Sequence, residues 1–78
     1  MMSDNDAATE QARQTLTQYH QLLLLQLQHE RERASPDKET LAELEEHQQE
    51  VLREQQSLTP AVIKKALTVY APFLQAMQ

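Results

Sequence analysis

The stretch Glu30-Arg31-Glu32-Arg33-Ala34-Ser35-Pro36-Asp37-Lys38-Glu39-Thr40-Leu41 places a helix ending and a helix beginning within a few residues. Serine can cap a helix, proline is favoured at the first helical position, and aspartate suits the first turn. The residue before a proline also resists helical backbone angles. These features predict a tight connection near residues 33–36 and make the flanking segments an antiparallel hairpin. On its N-terminal side, Ala8, Ala12, Leu16, Tyr19, Leu23 and Leu27 recur every three or four residues, which predicts a helix over about 5–33. Leu22, Leu24 and Leu25 widen that stripe to most of the circumference, so this turn must be enclosed on several sides or present an exposed apolar band. On its C-terminal side, Leu41, Leu44, Val51, Leu52 and Leu58 draw a narrower seam along a helix over about 36–56. His47 and Gln48 interrupt the seam and Glu43, Glu45, Glu46, Glu50 and Glu54 flank it, so most of this helix should face water.

Ser57-Leu58-Thr59-Pro60 repeats the restart, with Thr59 as cap and Pro60 at the first helical position of a third helix over about 60–77. Val62, Ile63, Ala66, Leu67, Val69, Tyr70, Ala71, Phe73, Leu74 and Met77 cover more than one face of it, leaving Lys64, Lys65, Thr68 and Gln75 as its polar interior positions. Pro72 removes a backbone donor and crowds the carbonyl of Thr68, so a kink or a stop is expected there. Glycine is absent, and without it the positive-φ turns of hairpin sheets are costly. The predicted fold class is therefore all-α: a helical hairpin plus a short apolar third helix, in one domain over residues 1–78 with a disordered start at residues 1–4.

A chain of 78 residues buries only about 60–65% of the surface its unfolded form exposes, so its stability is expected to be thin. No cysteine is present to staple it, which makes self-association or a partner a reasonable source of further burial. The net charge of −5 is unevenly spread. Seven acids face only Lys38 and Arg53 in residues 34–58, whereas Lys64 and Lys65 are the only charged residues after 58. An acidic middle segment repels phosphate backbones and argues against nucleic-acid binding. The acidic start lacks the pattern of a secretory signal, and the longest apolar run, Leu22–Leu25, falls far short of the roughly 20 residues of a membrane span. A cytoplasmic location is expected.

Catalytic and metal-binding patterns fail on spacing. His47 lies one turn from Glu43 and Glu50, an arrangement read as a surface histidine among surface acids. The residues three before His20, His29 and His47 are Thr17, Gln26 and Leu44, so the Glu-x-x-His pairs of a di-metal bundle are missing. His29-Glu30 begins a zinc-protease signature that Arg33 ends. Ser3, Ser35 and Ser57 fall at helix termini or caps, and no glycine loop is available to cradle phosphate. No enzyme activity, cofactor or metal is expected. Glu30-Arg31-Glu32-Arg33 reads as a solvated face with weak local pairs, and Tyr19 as core with its hydroxyl at the rim.

The apolar surface of the third helix exceeds what the narrow seam of the second can cover. The leading expectation is a protein-binding module, an adaptor or chaperone that engages an amphipathic helix of a partner. Its candidate contact residues are Leu22, Leu24 and Leu25 on the first helix and Ile63, Leu67, Tyr70, Phe73, Leu74 and Met77 on the third. In size, charge and helix order the chain is similar to the small acidic helical chaperones of bacterial secretion and flagellar systems. That likeness implies the same mode of binding, though no motif carries it. Two alternatives are a homo-oligomeric bundle, in its simplest form a dimer of hairpins, and a regulator whose acidic helix occludes a transcription factor.

Overall fold

A computed structural model describes residues 4–77, and within them the chain is helical between short connections. Helix α1 spans Asp4–Glu32, about 43 Å at the usual helical rise, and α2 spans Lys38–Gln56. The third arm consists of α3 (Pro60–Lys65), a π-helical turn (Ala66–Tyr70) and α4 (Ala71–Ala76), run together without a break. The expected all-α hairpin with a shorter third helix is the observed architecture. Residues 1–3, part of the expected disordered start, lie outside the described residues, and Asp4 already belongs to α1. No helix among the described residues is long and apolar enough to cross a membrane.

The caps explain where the helices begin. Asp37, not Ser35, caps α2: its carboxylate accepts from the Glu39 and Thr40 amides at 2.9 and 3.3 Å. Pro36 therefore lies outside the helix, because a charged acceptor one residue later satisfies two free amides at once. Thr59 caps α3 through its hydroxyl, which accepts from the Val62 amide at 3.2 Å, with Pro60 at the first helical position as expected.

Contacts between α1 and α2 run in opposite directions along the chain. Thr17 meets Gln55 at 3.4 Å, His20 meets Gln48 at 3.3 Å and Arg31 meets Glu45 at 3.1 Å. The third arm runs parallel to α1: Pro60 and Ile63 lie beside Ala8, Ala71 and Leu74 beside Gln11 and Gln18, and Tyr70 and Phe73 beside Tyr19. One core joins the three, with Ala12, Leu16, Tyr19 and Leu23 from α1, Val51 from α2, and Ala66 and Tyr70 from the third arm. Val51 is the only buried residue of α2, as its narrow seam implies. The small residues Ala8, Ala12 and Thr15 let the arm lie close against α1, so α1 covers the apolar surface that α2 cannot.

Pro72 neither stops nor sharply breaks the arm. Proline has no amide to donate, and its ring clashes with the carbonyl four residues back in an α-helix. The chain widens instead into the π turn, where the Ala71 amide reaches back to the Ala66 carbonyl. The Thr68 hydroxyl also donates to the Lys64 carbonyl at 2.7 Å, a bond that loosens the same turn. Helical backbone then continues through Ala76.

Candidate functional site

The centre of the molecule is a ring stack braced by a polar network. Tyr19 stacks on Tyr70 with centroids 4.2 Å apart and planes 15° apart. His47 and Phe73 meet Tyr19 edge-on at 5.3 and 5.9 Å. Outside the stack, the Lys65 ammonium donates to Glu50 and Glu54, each at 2.9 Å, and lies 5.3 Å from the centre of the Tyr70 ring. The Tyr70 hydroxyl donates to the other Glu54 oxygen at 2.8 Å. Burial pulls the Lys65 ammonium down, but its bonds to Glu50 and Glu54 outweigh that and hold it above a free lysine. Burial first, and then the bond to Glu54, pushes the Tyr70 hydroxyl up to about 12, although Lys65 pulls the other way. Hydrogen bonding to Lys65 holds the Glu50 carboxyl below its ordinary value, and burial raises the Tyr19 hydroxyl. Lysine stays cationic and tyrosine neutral through the neutral range, with both committed to α2. The network clamps the third arm in place.

The arm covers only part of its seat. Two rows of seven-residue spacing run along α1, Ala8-Thr15-Leu22-His29 and Ala12-Tyr19-Gln26, the second pointing on to Arg33 just past the end of the helix. The first two members of each row lie under the arm. Beyond Tyr19 the same faces of α1 and α2 continue into an open cleft of about 500 Å³ lined by Gln26, His29, Glu30, Arg33, Thr40 and Leu44. At the far end of the arm stands α4, whose Phe73 ring meets Tyr19 of α1. There Phe73 is 46% exposed and Met77 54%, and Val69, one turn earlier, is 54% exposed. These three follow each other at intervals of four and make one apolar edge on the arm.

The candidate contact residues divide accordingly. Phe73 and Met77 are presented outward, while Tyr70, at 2% exposure, is core and is withdrawn as a contact residue because the stack with Tyr19 and the bond to Glu54 consume it. Ile63, Leu67, Leu74 and Leu22 are half-buried against the core. Leu24 and Leu25, at 43% and 56%, project with Gln21 and Gln28 from the face of α1 opposite Tyr19. The neighbouring Leu23 and Leu27 are buried, so the leucine run is split between core and surface.

Glu30 does more than the solvated-face reading allowed. It is buried, takes the Asp37 amide at 2.9 Å and receives both bonds of Arg33 at 3.0 and 3.1 Å. The Asp37 amide first, then Arg33, hold its carboxyl below the ordinary range. The signal available in the sequence was a glutamate seven residues before a capping aspartate across a proline turn. His47 is half-buried against Tyr19 rather than a free surface histidine, and Glu50 is taken by Lys65. Among the described residues no three histidine, aspartate or glutamate side chains converge closely enough to hold a metal ion. Compared with known protein families, characterised proteins and solved structures, the chain matches none.

Proposed function

We propose that this chain is a non-catalytic protein-binding module, of the adaptor or chaperone kind, that receives an amphipathic helix of a partner protein. The observation that carries this reading is the exposed apolar edge Val69, Phe73 and Met77 on an arm that covers only part of the α1–α2 surface. An incoming helix laid along the seat would extend a packing geometry the chain already uses for its own third arm, and would cover Phe73 and Met77 at the junction. Phe73→Ser and Met77→Ser test the reading. Because both side chains are half exposed, we expect helicity to be unchanged and melting temperature nearly so, with capture of partner proteins lost. Retained capture by both folded variants would remove this surface from consideration. A second reading rests on a different patch: Leu24 and Leu25, on the opposite face of α1, offer a two-fold contact between copies. Concentration-dependent sedimentation that Leu25→Ser abolishes would support that homo-oligomer.

A further inference from the structure

Resting on the homo-oligomer reading, we infer that the outer face of α1 pairs antiparallel with the same face of a second copy, across a two-fold axis that crosses α1 between Leu24 and Leu25. That face carries Gln21, Leu24, Leu25 and Gln28, all exposed, and their order is the same in both directions: glutamine, leucine, leucine, glutamine at steps of three, one and three residues. At 3.6 residues per turn, the two glutamines run along the middle of the face and the leucines stand about 50° to either side. Turning a copy end for end therefore sets Gln21 level with Gln28 of the second copy at both ends of the patch, and gathers the four leucines into one layer between these pairs. A patch that repeats itself on reversal is the self-complementary surface a two-fold contact requires. A glutamine amide both donates and accepts, so each pair of glutamines can close a hydrogen bond beside the leucine layer.

Charge favours this direction over a parallel pair. A parallel pair sets Glu10 and Glu32, the acids nearest the middle line of the face, against their own duplicates, and like charges so placed repel. The antiparallel pair puts Glu32 level with Thr17 and Arg31 level with Gln18, and carries Glu10 past the end of the second α1. It also opposes the two helix dipoles. The overlap, residues 17–32, is about 24 Å long with a single leucine layer, a contact of the weak and reversible class. Phe73 meets Tyr19 on the opposite side of α1, so each copy in the pair keeps its arm edge open, and the dimer presents that edge twice.

The chain has no cysteine, so single substitutions on this face report its register through disulfide capture in a glutathione buffer. Full-length Gln21→Cys and Gln28→Cys chains are incubated alone and as an equal mixture. In the antiparallel pair, position 21 lies about 10 Å along the axis from its own duplicate, beyond disulfide reach, and the same holds for position 28. The mixture is therefore expected to give the mixed disulfide at least about fivefold over either homo-disulfide, an excess that disappears when both chains also carry Leu25→Ser. Sedimentation of the unaltered chain from about 10 µM to 1 mM should show a reversible rise from monomer to dimer, in keeping with so small a contact. Leu25→Ser should remove that rise and leave the melting curve nearly unchanged, because Leu25 is 56% exposed. If the chain dimerises through Leu25 but each variant is captured with itself, or all three disulfides form equally, the antiparallel register falls and the homo-oligomer reading stands. A monomer across the whole range, or association that survives Leu25→Ser, overturns both.

Discussion

Lys65 and Tyr70 each hold two parts of the molecule together, and their protonation sets a stability window. Both folded-state values lie above those of free side chains, so the stability they contribute is complete below about pH 10; Tyr70's share is lost as pH climbs through about 12, and Lys65's declines over the same range without being lost by then. We expect melting temperature to fall across that range, and Tyr70→Phe to flatten the decline. The same substitution at neutral pH removes a bond to a carboxylate that is itself largely buried, at a cost of about 1–2 kcal/mol in denaturant unfolding. The depressed values of Glu30 and Glu50 act at the other end: their contribution is complete above about pH 4.3 and is lost as pH falls through the lowered values. Glu30→Gln, which weakens the clamp on the turn, should therefore reduce the acid sensitivity of the melt. None of this network was legible in the chain, because Lys65, fifteen residues from Glu50 and eleven from Glu54, reads only as a polar interruption until the third arm is laid against α2.

At the scale of the element, the sequence spoke most clearly where local chemistry decides. Thr59-Pro60 opens α3 as read, and the proline turn separates α1 from α2, although the capping role passes from Ser35 to Asp37. The π turn was not legible, since a proline in an apolar helical run is equally compatible with a kink, a stop or a widened turn, and packing chooses among them. Here Ala66 and Tyr70 are both buried, which anchors the segment on either side of the extra residue. Pro72→Ala restores a donor and removes the ring, so we expect the turn to relax towards regular α-helix and α4 to rotate by about 100° about its axis. The nuclear Overhauser contact between the Tyr19 and Phe73 rings would then be lost, with partner capture weakened and helicity retained. Survival of that ring contact in the variant would show that packing alone fixes the π turn.

Over the whole molecule, a long α1 carries two different partners on its two flanks and one shared core between them, within extents of 53 × 25 × 15 Å. Hydrophobic spacing found the α1 core positions directly, since Ala12, Leu16, Tyr19, Leu23 and Leu27 are all buried. It did not find that α1, not α2, is the main cover of the third arm, because spacing along one helix says which face is apolar and not which neighbour lies against it. A core this small tolerates little loss: Leu16→Ala should cost about 2–5 kcal/mol and bring much of the chain to the edge of unfolding in a urea titration. The central claim is that the docking surface is the seat beyond Tyr19 together with the end of α4. It is tested most directly by mapping amide shifts of the isotope-labelled full chain as a captured partner's binding helix is titrated in. The account expects the shifts to gather at Gln26, Leu44, His47, Phe73 and Met77, with Gln21, Leu24 and Gln28 unmoved. Shifts confined to the Gln21–Gln28 face of α1 would contradict it.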